Sequence, residues 1–94
     1  MATKPYRVAD HLTSAEEIAE YLNAVLDESS GDAAVLLLAF RNVAEAVGGV
    51  SELARRTGLD RAGLSRVLSG RNSPKIDTVS KIASACGVRM QFSA

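Results

Sequence analysis

Apolar residues of this 94-residue chain recur at intervals of three and four positions, which is the spacing of one face of an α-helix. The pattern first appears in SAEEIAEYLNAVL, where Ser14 and Glu17 have the spacing of a capping box. In that motif each side chain satisfies the other residue's free amide. The apolar side of the segment consists of Ile18, Leu22, Val25 and Leu26. We therefore predict a first helix here, preceded by an irregular N-terminal extension, residues 1–13.

The second predicted helix, AAVLLLAFRNVAEAV, is apolar on nearly all sides. Asp32 is positioned as its N-cap. The helix should run to about Val47, because Gly48 and Gly49 tolerate the left-handed backbone at a helix C-terminus. A helix with so little polar surface is normally buried. The pattern favours a central core helix, with self-association of two chains as the alternative.

Three shorter helices follow, separated by glycines. They are predicted at about 50–57, 61–69 and 75–86, with Gly58 and Gly87 at two of the breaks. The apolar side of the last helix consists of Ile76, Val79, Ile82, Ala83 and Cys86. The final VRMQF, residues 88–92, alternates apolar and polar positions, which predicts a short β-strand. A lone strand is marginal, so it needs a partner: the N-terminal YRV segment, a second subunit or another protein.

The helices at 50–57 and 61–69 are joined by a short turn containing Gly58, an arrangement typical of a helix-turn-helix. At about 100° per residue, one side of the second helix is aliphatic and the other is polar or small. A side with small residues between two arginines fits into a major groove, where Arg can pair bidentately with guanine. The candidate base contacts are Arg61, Ala62, Ser65 and Arg66.

Charge is divided unequally along the chain, although the formal net charge is zero. Residues 1–48 carry 3 cationic and 8 anionic side chains, and residues 49–94 carry 8 cationic and 3 anionic ones. Five arginines lie within residues 51–74. Such a concentration indicates a polyanionic partner, which for a helix-turn-helix is duplex DNA. The candidate phosphate contacts flank the second helix of the pair and are Arg55, Arg56, Arg71 and Lys75.

Composition excludes several other function classes. The single Cys86 rules out an internal disulfide or a multi-cysteine zinc site and fits a reducing cytoplasm. Its place on an apolar helix side predicts a small buried hydrophobe rather than a nucleophile. The single His11 has no neighbouring ligands, so we predict no metal, no cofactor and no enzymatic activity. No apolar run approaches the roughly 20 residues of a membrane span, so no membrane contact is predicted.

A resemblance to the phage-repressor-like (Cro/C1, or XRE) helix-turn-helix runs through SELARRTGLDRAGLSRVLSGRNSPKIDTVSKIASACGV. Residues 6–94 as a whole, including YRVADHL and EEIAEYLNAVL, resemble addiction-module antidote proteins, the HigA-like antitoxins. The resemblance implies an all-α, five-helix DNA-binding domain. It also implies that the protein neutralises a small RelE/HigB-like ribonuclease toxin and binds its own operator as a dimer. It places the base contacts on the same four residues.

The sequence departs from the family pattern at two positions. Gly63 stands where relatives usually carry a side chain, and a glycine inside a helix costs about 1 kcal/mol relative to alanine. Arg7 stands where an acidic residue is common, so toxin contacts in that region are not carried over.

We therefore predict one helix-turn-helix domain spanning 1–94, with the motif at 50–69 and the tail strand at 87–93. The preferred function is the antitoxin of a type II toxin–antitoxin module that also represses its own operon. Its partners would be double-stranded operator DNA, a RelE/HigB-like toxin and a second copy of the chain, in the cytoplasm. One alternative is a stand-alone helix-turn-helix transcription regulator with no toxin. Another, which the zero net charge favours, is a protein-interaction module that no longer binds DNA.

Overall fold

Five α-helices and one short 3-10 helix make up the computed structural model of the chain, which describes residues 7–71 and 73–94. The 3-10 helix lies at Val8–His11, in the extension that we expected to be irregular. The α-helices are α1 (Ala15–Glu28), α2 (Ala33–Ala46), α3 (Val50–Thr57), α4 (Arg61–Val67) and α5 (Ile76–Ala85). The five predicted helices are therefore present, each within two residues of its expected bounds.

Side-chain caps fix the starts of α1 and α2. The Ser14 hydroxyl accepts a hydrogen bond from the Glu17 amide at 3.1 Å, as the capping box requires. The reciprocal bond differs from our prediction, because the Glu17 carboxylate accepts from the amide of Thr13 at 3.0 Å. Hydrogen bonds from Thr13 lower the pKa of Glu17, since they stabilise its charged form. The Asp32 carboxylate caps α2 as predicted, accepting from the amides of Ala34 and Val35.

Helix α2 forms the centre of the fold, in agreement with the favoured interpretation of its apolar sequence. It packs against the 3-10 helix, α1 and α3, and buries Leu37, Ala39, Phe40, Val43 and Ala44. Its remaining surface still exposes Val35 and Leu38, which are 41% and 45% accessible. One apolar side of α2 is therefore buried in the core, and the apolar side chains of Val35 and Leu38 remain exposed on another side.

The second half of the core joins α3, α4 and α5. Helix α3 packs against both α4 and α5. Four leucine and isoleucine side chains at the centre of this half are 0–1% accessible: Leu53, Leu64, Leu68 and Ile82. Gly58 ends α3 with φ of +73°, a left-handed conformation that glycine adopts without a steric penalty. This turn lets α4 fold back onto α3 after only three connecting residues, 58–60.

The predicted C-terminal strand is wrong. Residues 88–94 adopt no regular secondary structure, and the part of the chain that the structure describes contains no strand with which they could pair. One proposed partner, the YRV segment, begins at Tyr6, outside the described residues, and continues into the 3-10 helix. The segment VRMQF, in which apolar and polar residues alternate, instead forms an irregular tail that lies along α1, α2 and α5.

No single helix among residues 7–71 and 73–94 is both long and apolar enough to cross a membrane. Helices α2 and α3 reach that length and composition only together, and they are bent by 97° at the break between them.

Candidate nucleic-acid interface

Helix α4 is held in place from its inner side and from its N-terminus. Leu64 and Leu68 are each 1% accessible and join the core shared with α3 and α5. At the N-terminus, the Asp60 carboxylate accepts a hydrogen bond from the Gly63 amide at 3.0 Å. The side chain thus satisfies one of the free amides of the first turn. A buried side and a capped end together fix which residues α4 turns toward solvent.

The outward side of α4 carries the four candidate base contacts. Arg61, Ala62, Ser65 and Arg66 are all exposed, so the predicted division of the helix into two sides is confirmed. Within the described residues, neither Arg61 nor Arg66 forms an ion pair. Two guanidinium groups separated by small side chains therefore face solvent from a rigid helix. Contact of Arg61 and Arg66 with DNA bases stays a prediction.

The four candidate phosphate contacts divide into two pairs. Arg71 and Lys75 are exposed, and they lie in the loop after α4 and at the N-cap of α5. Arg55 and Arg56, on α3, are instead engaged by Glu52: Arg55 Nε lies 3.0 Å from its Oε1 and Arg56 Nε lies 3.7 Å away. The hydrogen bond from Arg55 lowers the pKa of Glu52 and in turn raises the pKa of Arg55.

Arg56 also has a contact with the last turn of α5. Its Nη1 donates to the carbonyl oxygen of Ala85 at 3.3 Å. A cation at a helix C-terminus interacts favourably with the carbonyls there. A phosphate would compete with this contact and with Glu52, so Arg71 and Lys75 are the more available cations. Phosphate contact by any of the four stays a prediction.

Sequence reasoning missed two residues that shape this surface. Glu52 lies three and four positions before Arg55 and Arg56, the spacing at which charged side chains pair on a helix. Asp60 lies immediately before the helical pattern and three positions before Gly63, which is the position of an N-cap. Both signals are readable in the sequence. Asp60 caps α4, and Glu52 pairs with the two arginines of α3.

Comparisons with known proteins give the family. A family profile described as "Probable addiction module antidote protein" matches residues 2–94. The chain belongs to this family. A relative described as an uncharacterized protein of Haemophilus influenzae (strain ATCC 51907 / DSM 11121 / KW20 / Rd) is 40% identical over 88 residues, which are 94% of this chain and 88% of the relative. No solved structure matches the chain significantly. Membership in an antidote family supports an antitoxin role and implies a toxin as partner.

Gly63 is the one glycine inside α4, and its replacement is expected to stabilise this antidote-family chain. Its φ is not positive, and an added Cβ would meet nothing closer than Asp60 Oδ2 at 3.6 Å, an ordinary contact. Because alanine has the higher helix propensity, we expect Gly63→Ala to raise the free energy of unfolding by about 0.5–1 kcal/mol. Urea denaturation followed by circular dichroism measures the change.

Gly70→Ala is the matched control for this substitution. Gly70 has φ of +76°, and a Cβ there would lie 3.1 Å from the Ala34 carbonyl oxygen. The same chemical change should therefore lower stability at this position. Equal effects at Gly63 and Gly70 would contradict the structural argument.

Cys86 is 5% accessible at the end of α5, where we predicted a buried hydrophobe. Burial raises the pKa of its thiol to about 11, because the thiolate would lose its hydration. Only the thiolate reacts readily, so we expect labelling by a disulfide reagent at pH 8 to be slow in the native protein and fast in urea. Native labelling as fast as that of a model thiol would contradict this burial.

The described residues contain no group of three or more His, Cys, Asp or Glu side chains that could hold a metal ion.

Proposed function

We propose that the chain is the antitoxin of a type II toxin–antitoxin module, which binds a RelE/HigB-like toxin and represses its own operon through α4. The observation that carries the DNA half is the exposed, unpaired Arg61 and Arg66 on a helix whose opposite side is buried. The α3–α4 pair would be a phage-repressor-like helix-turn-helix with α4 as its recognition helix. Family membership supports the toxin half.

Operator recognition would use two kinds of contact. The small Ala62 and Ser65 allow close approach to the groove, and Arg61 and Arg66 would reach base edges. Arg71 and Lys75, which both come after α4 in the chain, would bind phosphates and set the register of α4. A dimer would place two α4 helices about 34 Å apart, one turn of duplex, on a palindromic operator.

The toxin would bind the acidic N-terminal half of the chain, residues 1–48. Helix α1 presents three exposed carboxylates, Glu16, Glu20 and Asp27, on one side at helical spacing. Residues 1–48 carry 8 anionic and 3 cationic side chains, and a ribonuclease toxin that binds RNA needs a basic surface. An acidic stripe on α1 suits such a partner.

Two measurements test the two halves separately. Fluorescence anisotropy with the upstream region of the gene as duplex probe should show sequence-specific binding that weakens steeply with salt. Co-expression with the product of the adjacent gene should restore growth that this product alone arrests. Specific DNA binding without growth rescue would indicate a stand-alone regulator, and growth rescue without DNA binding would refute the repressor half.

A further inference from the structure

The arginines of α3 and α4 differ in their ion pairs. Both arginines of α3, Arg55 and Arg56, pair with the same carboxylate, that of Glu52. Neither Arg61 nor Arg66, the two arginines of α4, forms an ion pair within residues 7–71 and 73–94. One glutamate therefore partly neutralises the cationic charge of the first helix of the pair and leaves that of the second helix intact.

The Glu52 side chain is held in place by the backbone beneath it. Only 25% of the side chain is accessible, and its Cγ lies 3.1 Å from the position that a Cβ would have on Gly48, in the turn between α2 and α3. Most surface ion pairs are weak because two long side chains must be ordered to form them. Since the Glu52 carboxylate is already ordered by this packing, the pairs with α3 lose less conformational freedom.

Arg55 and Arg56 are engaged in different ways. Arg55 Nε donates to both carboxylate oxygens of Glu52 at 3.0 Å, and Arg55 Nη2 also donates to Oε1. Arg56 connects two helices: its Nε lies 3.7 Å from Glu52 Oε1, and its Nη1 donates to the carbonyl oxygen of Ala85 at 3.3 Å. Each guanidinium must therefore lose contacts within the protein before it can bind a phosphate.

We propose that Glu52 is a specificity-determining residue, which keeps Arg55 and Arg56 from binding phosphates and so limits the binding of arbitrary polyanions. The first helix of a helix-turn-helix crosses the DNA backbone, and backbone contacts carry no sequence information. Two free arginines on α3 would thus strengthen binding to every sequence. With both arginines engaged, a larger share of the affinity comes from α4, which would read the bases. The consequence for operator recognition rests on the proposed function.

Glu52→Gln is the test variant, because the amide keeps the shape of the side chain and removes its charge. We expect it to bind a scrambled duplex about three- to tenfold more tightly at low salt, with a salt dependence that steepens by about one phosphate contact. The operator should gain less, since base contacts already fix the register of α4 there, so the ratio of the two affinities should fall. A purely structural role of Glu52 would lower both affinities and leave the salt dependence unchanged.

Two control variants separate this effect from a general change in charge. Glu28→Gln removes the same charge from an exposed position at the end of α1, where the described residues provide no ion pair, and should change neither duplex affinity by much. Glu52→Gln combined with Arg55→Ala and Arg56→Ala should lose the gain on the scrambled duplex, because the two residues that produce it are absent. Circular dichroism checks that each variant keeps its helical content.

Heparin chromatography tests the restraint on the two arginines without DNA, because heparin is a sulfated polyanion. Glu52→Gln should elute at higher salt than the wild type and Glu28→Gln. Equal elution of the two glutamine variants, or a gain that survives the loss of both arginines, would overturn the proposal. If the wild type ignored duplexes while Glu52→Gln still bound heparin more tightly, the repressor function would be refuted and the role of Glu52 in limiting polyanion binding would be supported.

Discussion

Replacing Arg61 with alanine is expected to weaken binding to the operator by about 1–3 kcal/mol, roughly fivefold to 150-fold. Arg61 is the first residue of α4, it is exposed, and no carboxylate in the described residues holds it. A guanidinium in that position can make a bidentate contact with guanine that alanine cannot replace. Anisotropy titrations of operator and scrambled duplexes at the same salt concentration measure the change. The loss should appear on the operator and much less on the scrambled duplex.

Two arginine variants serve as controls for this prediction. Arg41→Ala removes the same charge from an exposed position on α2, away from α4, and should leave specific binding nearly unchanged. Arg71→Ala should weaken both duplexes alike and reduce the salt dependence by about one phosphate contact. If Arg41→Ala and Arg61→Ala had equal effects, overall charge and not base recognition would explain the binding.

The sequence was most informative where a local rule decides the structure. Asp32 and Ser14 were readable as helix caps because an N-cap needs only one side chain and a nearby amide. The two sides of α4 were readable because burial follows a period of 3.6 residues. The outward position of Arg61 and Arg66 followed from the same geometry. The geometry does not predict what these two arginines bind, because an exposed side chain can face either solvent or DNA.

Predictions that depended on a distant partner were less successful. The tail at 88–92 alternates like a strand, but a strand also needs a neighbouring strand, and none is present in residues 7–71 or 73–94. For Arg55 and Arg56 the omission is local instead: counting charges along the sequence ignores Glu52 one turn away, and their contact with phosphates stays a prediction. The apolar character of α2 was correctly read as core. The strip of Val35 and Leu38 became visible only once the buried side was known.

These observations divide the molecule into three surfaces with different chemistry. The outward side of α4 is cationic, α1 carries an acidic stripe, and exposed large apolar side chains lie on α2, at the start of α5 and in the tail. Because the cationic and acidic surfaces lie on different elements, a chain with the proposed function could bind DNA and a toxin at the same time. Substitutions that affect one surface and leave the other two intact are therefore the sharpest tests of the proposed functions.

Leu53→Ala is expected to have the largest effect on stability, with a loss of about 2–5 kcal/mol in the free energy of unfolding. Leu53 is 0% accessible and belongs to α3, which packs against α2, α4 and α5. Truncation leaves a cavity among elements that a fold of this size cannot easily rearrange. Since small domains are stabilised by only about 5–15 kcal/mol, thermal unfolding should shift down by at least 10 °C.

Leu53→Met tests whether volume is the cause, because it keeps a similar side-chain size and should cost less than about 1.5 kcal/mol. Urea denaturation of both variants measures the difference, and the slope with denaturant should stay that of the wild type. An alanine variant as stable as the methionine variant would mean that α3 does not anchor the core. Because α4 is oriented through this same core, the alanine variant should also lose DNA binding at temperatures where it is partly unfolded, and recover it on cooling.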